Sequence, residues 1–323
     1  MKSEGFLGRL SRAPRGAGSA SLTTVLIAFA ANLLVAVAKS VATVVTGSAS
    51  ILAEAAHSWA DTGNEVFLII AFRRSRRPAD RAHPLGHGRE AYVWSLLAAL
   101  GLFVVGATVS VMHGIHELTN PAPATDFIVG YAVLAVSFVL EGISFLRSVR
   151  QARSEAGLME RDLIGAVMAT SDPTLRAVFA EDSAALIGLV IAAVALGAHQ
   201  LTGSSTPDAV GSILVGVLLA AIATVLIDRN REFLIGEEAD VRVRAAAIRA
   251  LLAEPEVARV TYLRLEVVGP RLVSVVGDVD LTGDDTESNV AVRLRALEAK
   301  LDASPAVAGT VLSLSAPDEQ SLR

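Results

Sequence analysis

Six apolar stretches, each about 20 residues or longer, fill the first part of this chain, and that is the length an α-helix needs to cross the hydrocarbon core of a bilayer. They run Ser21–Val45, Ala49–Phe72, Tyr92–Leu118, Phe127–Leu146, Leu175–Ala198 and Ala209–Ile227. In lipid, only helices and closed barrels satisfy their own backbone polar groups, so runs of this length dictate helices. Of the 323 residues 52% are hydrophobic and 19% charged, more apolar than an ordinary soluble domain. Cysteine is absent. Disulfides, thiolate metal sites and cysteine nucleophiles are thereby excluded, and a metal would have to be held by His, Asp, Glu or backbone oxygen. The formal net charge of −5 supplies no basic field, so no nucleic-acid partner is expected.

Arginine sets the expected orientation, because Lys and Arg gather in loops on the cytoplasmic side. Arg9, Arg12 and Arg15 precede the first stretch, Arg73, Arg74, Arg76 and Arg77 follow the second, Arg147, Arg150 and Arg153 follow the fourth, and Arg229 and Arg231 follow the sixth. The opposite connections, Thr46–Ser48, Asn120–Thr125 and Gln200–Pro207, contain neither Lys nor Arg. Both termini are expected in the cytoplasm. The first apolar run has no small-residue cleavage site, so no cleavable signal is expected. The division expected is a cytoplasmic N-terminal segment 1–20, a six-span transmembrane domain 21–227 and a cytoplasmic C-terminal domain 228–323.

Polar residues inside the apolar stretches are where chemistry is expected, since a charged group at the bilayer centre costs roughly 2.5–3.5 kcal/mol on insertion scales. In the second stretch Glu54, His57, Asp61 and Glu65 stand at spacings of 3, 4 and 4, which places them on one helical face. Such a stripe cannot face lipid; each residue is either a packing group satisfied by a neighbouring helix or part of an ion site. Asn32 and Lys39 in the first stretch are read mainly as partners for this stripe. The fifth stretch contributes Glu181 and Asp182, which diverge by about 100° as helix neighbours, so one faces the stripe more directly than the other. An imidazole and carboxylates from two helices make an oxygen and nitrogen site suited to Zn²⁺, Mn²⁺, Fe²⁺ or Co²⁺. The alternative is a structural carboxylate pair.

Asp80, His83 and His87 form a third group, in a loop shaped by Pro78, Pro84, Gly86 and Gly88. They offer three metal-capable side chains or, equally, an interfacial turn with hydrogen-bonded histidines. His113, His116 and His199, at the outer ends of spans, read as wet-interface anchors. Asp172-Pro173 reads as a helix cap with proline in the first turn. Beyond residue 228 the pattern becomes that of a small α/β domain: helix over Asp240–Glu254, strands over Val257–Val268 and Leu272–Leu281 joined at Gly269-Pro270, helix over Asn289–Leu301 and strand over Val307–Leu314. Asp278, Asp280, Asp284 and Asp285 there read as strand-face and turn residues.

Thr46-Gly47-Ser48-Ala49-Ser50-Ile51-Leu52-Ala53-Glu54, the His57-x-x-x-Asp61 pair and the Asp80-x-x-His83-Pro84-x-Gly86-His87-Gly88 loop resemble the cation diffusion facilitator family over essentially the whole chain. Glu181-Asp182-Ser183-Ala184-Ala185-Leu186-Ile187-Gly188 is similar to the branch that includes zinc transporter nine. The resemblance implies an all-α six-helix transmembrane bundle with a ferredoxin-like C-terminal α/β domain, in a homodimeric divalent-cation/proton antiporter rather than an enzyme. Zn²⁺ is the implied cargo, moved without a cofactor; Mn²⁺, Fe²⁺ or Co²⁺ is the alternative, and a non-transporting metal-sensing or interaction protein is the reading from another class. Carried over by position, the transport ligands are His57, Asp61 and Asp182, with Glu181 beside them, and Asp80, His83 and His87 match a loop metal site. Where many zinc-transporting members have His, this chain has Val178, which leaves the fourth ligand to Glu181, water or backbone. The implied setting is a multi-pass protein of a bacterial inner membrane, contacting lipid, metal ions and protons.

Overall fold

The computed structural model describes residues 22–121, 126–159 and 162–322. The expected N-terminal segment with Arg9, Arg12 and Arg15, and most of the expected outer connection Asn120–Thr125, lie outside the described residues. The helices are α1 (Leu22–Thr46), α2 (Ala49–Ser75), α3 (Glu90–Gly101), α4 (Thr108–Thr119), α5 (Phe127–Met159), α6 (Leu163–Ala169), α7 (Pro173–Thr202), α8 (Thr206–Ile235), α9 (Val241–Leu252) and α10 (Glu287–Asp302). The strands are β1 (Val257–Gly269), β2 (Leu272–Leu281) and β3 (Val307–Leu314). A π-helical stretch, Leu102–Ala107, joins α3 to α4 into one continuous apolar run.

Among the described residues four runs are long and apolar enough to cross a membrane: Glu90–Thr119, Phe127–Ser154, Pro173–Thr202 and Thr206–Ile235. The other two expected spans are helices of 25 and 27 residues, and they fall short for identifiable reasons. In α1 the described apolar part is Asn32–Thr46. α2 carries Glu54, Asp61 and Glu65 in its middle and Arg73 and Arg74 at its end, so charge rather than length separates it from the rest. The same stripe that suggests a site is what lowers the mean hydropathy of α2.

The chain divides into two compact units. The larger, Ser21–Phe72 with Tyr92–Arg231, is the helical bundle. Its interior is built from small side chains at helix crossings, with Ala53, Ala60, Ala107, Ala184 and Ala223 buried beside Val215 and Leu219. α4 and α8 approach so closely that a Cβ on Gly216 would sit 2.9 Å from the Ala107 carbonyl oxygen and one on Gly114 2.7 Å from that of Ala209. Helix association within lipid depends on this small-residue packing.

Polar side chains tie the helix ends. Asp208, buried in the first turn of α8, caps α2 from outside: its Oδ2 accepts the Ala49 N–H at 2.7 Å and its Oδ1 the Ser48 hydroxyl at 3.0 Å. His199 is buried and its Nδ1 lies 3.9 Å from Asp208 Oδ2, so it is an internal residue and not the wet-interface anchor expected from its position. Asp172 caps α7, accepting from the Thr174 and Leu175 N–H groups with Pro173 in the first turn; capping is thus its observed role. The fully buried Arg176 donates to the Thr170 carbonyl at 3.0 Å and to Asn230 at 3.3 Å.

The smaller unit takes in Arg73–Ala91 and Glu232–Arg323. β2 is central, antiparallel to β1 and parallel to β3, and α9 packs on β1 while α10 packs on β3. The element order is the expected helix-strand-strand-helix-strand. Its core is formed by Ile248, Leu251, Val260, Leu263, Val279, Leu297 and Leu312, apolar positions that recur at helical spacing in α9 and alternate along the strands. Asp280 pairs with Arg259 at 2.8 Å and Asp285 with Arg293 at 2.7 Å, a structural use of the strand and turn acids. The Arg73–Ala91 loop belongs to this unit because Gly88 lies directly on the β1–β2 turn: a Cβ there would come 2.5 Å from the Val268 carbonyl oxygen. The next residue, Arg89, pairs with Glu266 of β1.

Candidate metal centre

The α2 stripe is turned into the bundle. His57 is completely buried, and its Nδ1 lies 3.4 Å from Asp61 Oδ1. That approach lacks hydrogen-bond geometry: neither ring nitrogen of His57, nor Asp61 Oδ1, has a hydrogen-bond partner among the described residues. Buried polar groups are nearly always paired with protein, water or a ligand, and an orphan costs about 1–3 kcal/mol, so these atoms call for a partner. The two ends of the stripe are occupied differently. Lys39 Nζ of α1 contacts Glu54 Oε2 at 3.0 Å, both side chains fully buried, and Asn32 Nδ2 donates to Glu65 Oε1 at 2.7 Å. Asn32 and Lys39 are therefore the partners they were expected to be, and they leave His57 and Asp61 between them.

Glu181 and Asp182 of α7 are both buried and, as adjacent residues, look in different directions. Glu181 accepts from the Asn64 amide of α2. Asp182 Oδ2 accepts the Ser144 hydroxyl of α5 at 3.1 Å. Asp61 is within electrostatic range of both carboxylates, so α2 and α7 meet at the level of Asp61 and Asn64. The ligand atoms do not yet form one tight shell: among the described residues only the loop group brings three candidate ligand atoms within 4.8 Å of one another. For one ion to touch both helices, Glu181 or Asp182 would exchange its present hydrogen bond for the ion. Val178, one turn before Asp182, is half-buried and offers no donor.

Sequence reasoning passed over Glu141. It is the single charged residue in the stretch Phe127–Leu146, and that isolation was the available signal. It stands on a polar line of α5, Ser137, Glu141, Ser144 and Ser148, at helical spacings of 4, 3 and 4.

In the loop, Asp80 gathers its neighbours. Its Oδ1 accepts the N–H groups of Ala82 and His83 at 2.9 and 2.7 Å, and its Oδ2 lies 3.0 Å from His87 Nε2. The His83 and His87 rings stand 4.1 Å apart. Gly86, at φ 79°, supplies the left-handed turn that brings His87 back to Asp80. The His87 contact first, then the backbone N–H groups, holds the Asp80 carboxyl down at about 2. A depressed carboxyl contributes to the loop above its ordinary pKa, and that contribution is lost as pH falls toward about 2. The carboxylate is thus ionised across the neutral range, as a cation ligand must be.

Residues 25–234 match the family described as the cation efflux transmembrane domain. Among similar proteins, metal tolerance protein C4 of Arabidopsis thaliana is 35% identical over 246 residues, covering 75% of this chain and 53% of that protein. The mitochondrial proton-coupled zinc antiporter SLC30A9 of Xenopus laevis is 35% identical over 259 residues, covering 80% and 46%. The cation-efflux pump FieF of Escherichia coli is 36% identical over 115 residues, covering 34% and 38%. The chain spans about half the length of the first two relatives. With most of its helical unit inside the matched region, and apolar helices long enough to cross a bilayer, this integral membrane protein belongs to the cation efflux family, a family of transporters and not of enzymes.

Proposed function

We propose that the chain moves divalent metal cations across a membrane in exchange for protons, with Zn²⁺ as cargo and a transport site formed by His57 and Asp61 of α2 and Glu181 and Asp182 of α7. One observation carries this reading: a fully buried imidazole whose two nitrogens have no hydrogen-bond partner among the described residues, beside a carboxylate oxygen in the same condition. The names of similar proteins, a zinc antiporter and a cation-efflux pump, support the cargo and the coupling. In this reading α1 and α2 complete a six-span bundle, the arginine-rich loops and both termini lie on the cytoplasmic side, and the α/β unit adopts a ferredoxin-like fold through which two copies pair. The transmembrane domain 21–227 and cytoplasmic domain 228–323 then divide transport from assembly.

The mechanism is alternating access. Open to the cytoplasm, the deprotonated imidazole and carboxylates take up the cation as Glu181 or Asp182 releases its hydrogen-bond donor. After the bundle opens outward, protons compete for the same lone pairs, lower the affinity and release the metal. Imidazole suits this exchange because it titrates near neutral pH. The donor set, one nitrogen and several oxygens, also accommodates Mn²⁺, Fe²⁺ or Co²⁺. Proteoliposomes carrying the full chain under an imposed pH gradient test the reading: divalent metal should accumulate only with the gradient present, and a gradient that drives no uptake of any of these metals overturns it.

Asp80, His83 and His87 are proposed as a second, cytoplasmic cation site, supported by their mutual closeness. Cobalt titration of the full chain should develop a visible ligand-field band that Asp80→Asn weakens. An identical band in the variant would remove the loop from the metal-binding account.

A further inference from the structure

Glu141 is within electrostatic range of five acidic side chains: Glu54, Asp61 and Glu65 of α2, and Glu181 and Asp182 of α7. Its place on α5 explains why. Ser144, one turn onward on the same face, donates its hydroxyl to Asp182 Oδ2 at 3.1 Å, which fixes the rotation of α5 so that this polar line borders α7. α5 also packs against α1, and the Lys39 ammonium of α1 is within electrostatic range of Glu141. The carboxylate therefore stands where α1, α2 and α7 all present charged groups.

Acids crowded in this way do not by themselves make a site. What points to a ligand is His57, fully buried with both nitrogens orphaned, beside Asp61. Among the described residues His57 is also the only imidazole in the middle of the bundle, and Val178, one turn before Asp182, supplies no ligand atom. Zn²⁺ favours four-coordinate nitrogen and sulfur sites, whereas Mn²⁺ favours oxygen ligands in a six-coordinate shell.

Resting on the transport reading above, we infer that Glu141 is a specificity-determining residue of the centre, supplying a carboxylate oxygen from a third helix that lets the one-imidazole site hold harder cations such as Mn²⁺ alongside Zn²⁺. When the cargo leaves, Lys39 remains as the nearby positive charge. Ser144, through Asp182, keeps α5 in the rotation that presents Glu141.

The test compares wild type, Glu141→Gln and Glu141→Asp, each as the full chain in proteoliposomes, with Mn²⁺ and Zn²⁺ uptake measured over a range of concentrations. Losing one oxygen ligand should raise the KM for Mn²⁺ about tenfold in the Gln variant, with a much smaller change for Zn²⁺, so that the Mn²⁺/Zn²⁺ preference falls. Glu141→Asp, which keeps the charge but shortens its reach, should shift the preference the same way by less. If the Gln variant does not yield monodisperse protein, the Asp variant alone decides. An unchanged preference, or an equal loss for both metals, overturns the role of Glu141 while leaving the transporter intact. A wild type that moves neither metal would instead bring down the transport reading and this inference together.

Discussion

Asp61→Ala proteoliposomes should take up divalent metal at about one hundredth of the wild-type rate or less, and Asp182→Ala should lose about tenfold or more, because ligand loss compounds with an unfilled shell. The two effects differ because the side chains are differently committed. Asp61 has an oxygen with no hydrogen-bond partner among the described residues, so it can take the ion without giving up a contact. Asp182 shares its α7 position with Glu181, which is held by Asn64 and can turn inward. Flux under a fixed pH gradient, normalised to reconstituted protein, reads both. Equal flux in wild type and the two variants would end the assignment of these carboxylates. Ser144→Ala serves as the internal comparison, since it removes one hydroxyl donor to Asp182 and no carboxylate and should cost less than either.

How much of this centre was legible in the sequence depends on what kind of contact is meant. The α2 stripe was readable because helical period alone brings residues 54, 57, 61 and 65 to one face, and Asn32 and Lys39 were readable as its partners because a buried amide or ammonium in an apolar run has few other uses. The partners of Glu181 and Asp182 were not. Which acid meets Asn64 and which meets Ser144 follows from the rotation of α7 against α2 and α5, and that is set by small-residue packing across the bundle rather than by any local pattern. Glu141 was visible as a lone charge in an apolar stretch, yet its neighbours come from helices far apart in sequence. The attachment of the Arg73–Ala91 loop to the strands was hidden for a different reason. It rests on Gly88 meeting Val268 and Gly269 backbone to backbone, a contact that leaves no motif, and on Arg89 pairing with Glu266, a partner far along the chain. The three-strand unit was legible in element order because alternation in β2 and the helical spacing of α9 are local signals, whereas the parallel pairing of β2 with β3 is a long-range choice.

Lys39→Met should lower the stability of the purified protein by about 3–5 kcal/mol, the usual loss when one member of a buried ion pair is removed. Lys39 and Glu54 are both completely buried, 3.0 Å apart, and Glu54 Oε1 already lacks a hydrogen-bond partner among the described residues. Without the ammonium, the carboxylate would face Gly188 of α7 with nothing to balance it. Replacing both members, Lys39→Met with Glu54→Gln, removes the uncompensated charge and should recover most of the loss, since a neutral buried pair of similar volume often costs little. Thermal unfolding followed by intrinsic fluorescence in detergent separates the cases. A single variant as stable as wild type would mean the pair contributes nothing, and a double variant as unstable as the single would mean that packing rather than charge was lost. Flux through the double variant then distinguishes two uses of the pair. If transport persists, Lys39 and Glu54 act as a clip holding α1 against α2 beside His57; if transport stops in a stable protein, the ammonium is needed as the charge that stays behind when the cation leaves.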